Sequence, residues 1–104
     1  MKELVETFLN YLSVERGLSF NTLVSYRGDL KEYAAFLSER SAGALSGVTR
    51  NDIVEFMSAQ KARGISSNSI ARRLAAIRMF YRFLVRERVL KDDPSGLVDT
   101  PKLW

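Results

Sequence analysis

The sequence predicts an all-α domain of four helices. Apolar residues recur at helical spacing along most of the chain, two glycines interrupt that spacing, and a serine follows each glycine by two residues. With 104 residues and 46% apolar content, the chain can bury one modest core. We therefore expect a single helical domain, built from two similar helical hairpins.

Each predicted helix carries an apolar stripe at spacings of three and four residues, which indicates one buried face. The helices are predicted at residues 2–16, 20–38, 50–63 and 67–88. Residues 41–47 are small and are expected to form the surface loop between the hairpins. Thr49 and Asp52 form the pattern of a capping box at the third helix. The predicted core includes Leu12, Leu30, Phe56, Leu74, Ile77 and Tyr81.

Two segments, residues 16–22 and 63–69, repeat the same pattern. In each, a glycine is expected to end one helix, and Ser19 or Ser66 to cap the next. Small hydrogen-bonding side chains follow both serines, where the helix leaves backbone N–H groups exposed. Helix N-termini of this kind attract phosphate, although N-capping alone would account for each of them taken singly.

The fourth predicted helix is the most basic part of the chain. Between Asn68 and Lys91, six arginines and one lysine stand against a single glutamate. This concentration favours a polyanion as partner. The alternative is a helical protein-interaction module whose basic helix meets an acidic partner, and salt-dependent duplex binding separates the two.

Composition argues against most enzyme classes, because the chain has no cysteine and no histidine. We expect no cofactor, no metal and no small-molecule substrate. No apolar run approaches the length of a membrane span, so we expect a cytoplasmic protein without a membrane partner. The tyrosines lie on or beside apolar stripes and are expected in the core with hydroxyls at its rim, so none is assigned as a nucleophile: Tyr11, Tyr26, Tyr33 and Tyr81.

Three segments, 8–37, 48–57 and 63–87, are followed in the linker by Asp92-Asp93-Pro94 and then Thr100-Pro101-Lys102. Together they resemble the N-terminal core-binding domain of tyrosine recombinases, closest to the Xer type. The resemblance implies a SAM-like domain of two crossed helical hairpins that clamps double-stranded DNA, with other recombinase subunits as partners. It also implies that the chain is not an enzyme by itself, because the family's catalytic tyrosine belongs to a following domain. Residues 1–90 would be the DNA-binding domain and 91–104 a linker towards that catalytic domain.

The resemblance places the DNA-binding surface on the second and fourth helices. Gly28 stands where relatives commonly have a second basic residue, so one phosphate contact is expected to be absent. Arg72 and Arg73 are expected to contribute more to binding than the arginines at the far end of the fourth helix, Arg82, Arg86 and Arg88. Carried over by position, the contact residues are Asn21, Thr22, Ser25, Arg27, Asn68, Ser69, Arg72 and Arg73.

Overall fold

The computed structural model describes residues 1–40, 44–96 and 98. Its elements are α1 (Lys2–Glu15), α2 (Phe20–Glu39), α3 (Arg50–Ala62) and α4 (Ser67–Arg86), with a short 3-10 helix at Leu45–Gly47. The predicted all-α class is confirmed, and the predicted helix ends are right to within two residues. The described part of the chain contains no strand, and none of its helices is long and apolar enough to cross a membrane.

Helices α2 and α4 are the centre of the packing, because each of them contacts all three other helices. Helices α1 and α2 form the first hairpin, α3 and α4 form the second, and the α2–α4 contact joins them. The predicted core is confirmed, since all six residues are at most 1% exposed: Leu12, Leu30, Phe56, Leu74, Ile77 and Tyr81.

Both predicted glycine stops have the left-handed backbone that glycine allows, with φ of 62° at Gly17 and 81° at Gly64. After α3, the Ile65 N–H donates to the Gln60 carbonyl at 3.1 Å, as in a Schellman motif. After α1, the Leu18 N–H instead reaches the Leu12 carbonyl at 3.2 Å, one residue further back. The two stops are therefore similar but not identical.

Helix α4 ends in the same way without a glycine. The Val89 N–H donates to the Leu84 carbonyl at 2.9 Å and the Arg88 N–H to the Val85 carbonyl at 3.0 Å. Arg88 therefore occupies the left-handed position, with φ of 61°. A side chain at this position costs free energy that glycine would avoid.

The start of α3 is the predicted capping box. The Thr49 N–H donates to Asp52 Oδ2 at 2.8 Å, and the Asp52 N–H donates back to Thr49 Oγ1 at 3.3 Å. In the predicted loop 41–47, residues 41–43 lie outside the described residues, and the 3-10 turn occupies the end of the segment.

The expectation that tyrosine hydroxyls lie at the rim of the core is wrong for Tyr33 and Tyr81. Both residues are fully buried, and their hydroxyl oxygens are 2.7 Å apart. Each hydroxyl is the other's hydrogen-bonding partner, so neither needs water. Tyr11 and Tyr26 are half-buried, as expected.

The segment after α4 turns back onto the domain. Arg78 of α4 donates to the Val98 carbonyl, and the Val98 side chain is buried in the core cluster. Asp93 Oδ1 accepts from the Ser95 N–H at 2.8 Å and from its hydroxyl at 2.6 Å. Part of the segment predicted as a linker therefore packs against α4, while the boundary at residue 90 remains a prediction.

Candidate nucleic-acid interface

A buried carboxylate holds two of the predicted DNA-binding arginines. Asp29 of α2 is 2% exposed, and it accepts from Arg72 Nε at 2.9 Å and from Arg72 Nη2 at 2.7 Å. Arg73 Nε lies 3.3 Å from Asp29 Oδ1, without the geometry of a hydrogen bond, so this contact is Coulombic. One carboxylate and two guanidinium groups leave the cluster with a net charge of +1.

Asp29 faces α4 because of its place in the apolar stripe of α2. It follows Tyr26 by three residues and precedes Tyr33 by four, so helical spacing points it towards the same side. A buried carboxylate is tolerated only when paired, and the arginines of α4 supply the pairs. Asp29 is not among the residues predicted from the sequence, although an acidic residue on an apolar stripe was a usable signal.

Arg73 contacts residues of two other helices inside the domain. Its Nη1 donates to the side-chain oxygen of Gln60 on α3, which is 3% exposed. The Arg73 side chain is only 17% exposed. It therefore links α2, α3 and α4 and has little surface left for a ligand.

Arg72 is different, because 44% of its side chain is exposed although Asp29 holds one edge of it. The hydrogen bond to Asp29 raises the pKa of the Arg72 guanidinium. The group therefore keeps its charge, and its donors on Nη1 remain available on the edge that faces away from Asp29.

The two predicted helix N-termini share one capping arrangement. The Ser19 hydroxyl oxygen accepts from the Thr22 N–H, and that of Ser66 accepts from the Ser69 N–H, each at 3.2 Å. Each serine hydroxyl also forms a hydrogen bond with the hydroxyl of the residue three positions later: Ser19 with Thr22 at 2.9 Å, and Ser66 with Ser69 at 3.1 Å. The cap occupies one N–H group at each end, and the N–H groups before it have no partner within the helix.

Helical spacing places polar residues of both helices on the faces that carry Asp29 and Arg72. Thr22 and Ser25 share a face of α2 with Asp29, and Asn68 precedes Arg72 by one turn of α4. Because Asp29 binds Arg72, these two faces adjoin. We call this the α2–α4 surface and define it as Asn21, Thr22, Ser25, Asn68, Ser69 and Arg72.

The comparison with known proteins agrees with this architecture. Residues 5–88 match the family described as the phage integrase, N-terminal SAM-like domain. The chain belongs to this family. The resemblance predicted from the sequence is therefore confirmed.

The relatives of this SAM-like domain are longer proteins. Over 103 residues it is 39% identical to the tyrosine recombinase XerC of Herpetosiphon aurantiacus, which is 99% of the chain but 34% of that protein. Over 98 residues it is 43% identical to the tyrosine recombinase XerD of Rhizobium meliloti, which is 94% of the chain and 31% of that protein. The chain thus spans about a third of the curated relatives it matches. No solved structure matched it.

Arg27 of the SAM-like domain lies apart from the α2–α4 surface. Its Nε and Nη2 donate to the two carboxylate oxygens of Glu6 on α1, at 3.0 Å and 2.9 Å. The hydrogen bond from Arg27 lowers the pKa of Glu6. Both side chains are about half exposed, so this is a surface ion pair on the α1 side of α2.

The remaining basic residues of α4 are distributed over different sides of the SAM-like domain. Arg78 bonds the Val98 carbonyl, and Arg86 lies 4.3 Å above the Tyr11 ring and donates to its hydroxyl at 2.8 Å. Arg86 also lines a groove of about 300 Å³ between α1 and α4, together with Arg16 and Arg82. The arginines of α4 therefore face different parts of the domain and do not form one continuous basic surface.

Proposed function

We propose that this SAM-like domain binds double-stranded DNA with its α2–α4 surface, as the N-terminal clamp of a Xer-type tyrosine recombinase. The observation that carries the proposal is the junction of the two helices. There, a half-exposed arginine of α4 is fixed by a buried carboxylate of α2, and both helices begin with the same serine cap.

This arrangement suits a phosphate-rich partner for electrostatic reasons. The N-terminus of each helix carries a partial positive charge and free N–H groups, which favour anions. The exposed amides of Asn21 and Asn68 add donors and acceptors at the second position of each helix. The Asp29–Arg72–Arg73 cluster adds a net positive charge where α2 meets α4.

The wider role follows from the relatives, which are named tyrosine recombinases. We infer that the domain works as part of such a recombinase in the cytoplasm, alongside other recombinase subunits on the DNA. In this proposal the domain binds and positions DNA, and the catalytic tyrosine belongs to a following domain. The isolated chain should therefore form no covalent adduct with DNA.

The proposal is tested by titrating a labelled duplex with the chain at two salt concentrations. Binding should weaken as salt rises, because phosphate contacts release counterions. Asn21→Ala and Asn68→Ala should each weaken binding. The matched control is Asn51→Ala, since Asn51 is also an exposed asparagine at the second position of a helix, in α3. Absence of duplex binding, or equal losses in all three variants, would contradict the proposal.

The alternative, a protein-interaction module for an acidic partner, is supported by the groove between α1 and α4. Arg16 and Arg82 on its rim are exposed, and neither side chain makes an ion pair or hydrogen bond with the described residues. If this groove were the binding site, Arg16→Ala and Arg82→Ala would abolish binding of an acidic peptide and leave duplex binding unchanged.

A further inference from the structure

The contact between Asp29 and Arg72 leaves the guanidinium with one occupied and one free edge. Asp29 accepts from Nε and Nη2, which form the side of the group. The end of the group, formed by Nη1 and the second hydrogen of Nη2, is the edge that can donate to a pair of acceptors. With 44% of the side chain exposed, that edge is accessible to a ligand.

The occupied edge is held firmly. Asp29 is buried, and Arg73 lies against the same carboxylate while bonding Gln60 of α3. The carboxylate therefore cannot turn away without leaving a buried charge unpaired. Arg72 is consequently ordered before any ligand arrives, which lowers the entropic cost of using it in binding.

The charges of Asp29, Arg72 and Arg73 influence which acceptor the free edge of Arg72 binds. The negative charge of Asp29 offsets much of the attraction between Arg72 and a phosphate. It does not change the fixed directions in which the N–H groups of the free edge donate. Among the acceptor pairs of a duplex, O6 and N7 of guanine in the major groove match an arginine in geometry, and phosphate oxygens offer a similar pair. A fixed and partly neutralised arginine is better suited to reading geometry than to attracting charge.

We propose that Asp29 is a positioning residue that orients Arg72 to bind the O6 and N7 atoms of a guanine, which makes Arg72 a specificity-determining residue. Arg73 holds the carboxylate in place and does not contact DNA. This inference rests on the proposed binding of duplex DNA, and it adds the base that the α2–α4 surface recognises.

The test uses the 104-residue chain and a pool of duplexes with a randomised centre. Bound duplexes are selected and sequenced, and the preferred site is then titrated with 7-deazaguanine in place of each guanine in turn. We expect one guanine whose N7 is required, with a loss of affinity of about tenfold when it is replaced. Arg72→Lys keeps the charge but has no planar group whose second edge could bind a base while Asp29 holds the first, so it should show the same loss at the same position. Arg82→Lys is the matched control on α4 and should keep the preference.

Asp29→Asn separates positioning from simple charge. It makes the chain more positive, so a purely Coulombic role for the cluster predicts tighter binding to every duplex with the preference unchanged. The positioning role predicts that the guanine preference falls by about tenfold while affinity for unrelated duplexes does not fall. Asp29→Glu keeps the charge but moves the carboxylate, so it repeats the test if the asparagine variant fails to fold.

The possible outcomes are distinct. Loss of the guanine preference in Arg72→Lys and in an Asp29 variant supports the inference. Duplex binding without a guanine preference, or a preference that survives in the folded Asp29 variants, overturns it and leaves the proposed function intact. Absence of any duplex binding by the unaltered chain overturns the proposed function and this inference with it.

Discussion

The hydroxyl groups of Tyr33 and Tyr81 form a 2.7 Å hydrogen bond in the middle of the core, and their rings meet edge to face at an interplanar angle of 85°. The bond joins α2 to α4 across the interface between the two hairpins. It satisfies two polar groups that burial would otherwise leave without a partner. The same burial raises the pKa of both residues.

Stability should fall at high pH because of this pair. Burial raises the pKa of Tyr81 to about 12 and that of Tyr33 further still. The pKa of tyrosine in the unfolded chain is about 10, so the unfolded state loses its protons first. The stabilisation is complete below about pH 10 and falls by up to about 1.4 kcal/mol per pH unit for each tyrosine above it. The contribution of Tyr81 is lost by about pH 12, and that of Tyr33 continues to fall at higher pH.

Urea unfolding between pH 8 and pH 12 measures this dependence. The control is the double variant Tyr33→Phe/Tyr81→Phe, which removes both hydroxyls together and leaves no unpaired partner. Lysines titrate equally in both proteins, so only the difference in slope matters. Identical slopes would show that the tyrosine pair does not govern stability at high pH.

Gly28 is a place where a basic residue can be added. It is exposed in the middle of α2, and a Cβ atom there would meet no neighbouring atom. Gly28→Lys should fold, should tighten duplex binding, and should steepen the salt dependence by about one counterion. The measurement is a duplex titration at several salt concentrations. Ala35→Lys adds the same charge to the same helix seven residues further on, and an equal gain there would indicate that position is unimportant.

Arg88→Gly should stabilise the domain. Arg88 is an exposed residue with a left-handed backbone, a conformation that costs a non-glycine residue about 1 kcal/mol. Glycine removes that cost, and its greater freedom in the unfolded chain offsets part of the gain. Thermal unfolding should therefore shift to higher temperature, with duplex affinity unchanged. A lower unfolding temperature would mean that the Arg88 side chain stabilises the end of α4.

Arg72 and Arg73 are expected to differ in their contribution to duplex binding. Arg73→Ala removes a partner of Asp29 and of Gln60, so it should lower the free energy of unfolding by about 2 kcal/mol. Arg72→Ala removes both hydrogen bonds from Arg72 to buried Asp29, so it should also lower the free energy of unfolding, and in addition it should weaken duplex binding by about 1–3 kcal/mol. Arg86→Ala is the control, because Arg86 is exposed on the α1 side of α4, over Tyr11. Equal effects of all three variants on duplex binding would leave only a diffuse basic patch.

The helices, their ends and the core could be predicted from local patterns in the chain. Apolar spacing selects one face of each helix, and the glycine stops and serine caps act through bonds between residues at most six positions apart. These are local interactions, so they can be read without knowing which helices meet. The confirmed helix ends and the six buried residues belong to this class.

Tertiary structure decided the partners of the polar groups. Asp29 and Arg72 are 43 residues apart in the chain, and Tyr33 and Tyr81 are 48 apart, so each pair depends on how the two hairpins cross. In the folded domain, Arg27 pairs with Glu6, Arg73 is largely buried, and Arg72 is half exposed. Each outcome follows from which charged groups burial brings within hydrogen-bonding distance, and helical periodicity does not contain that information.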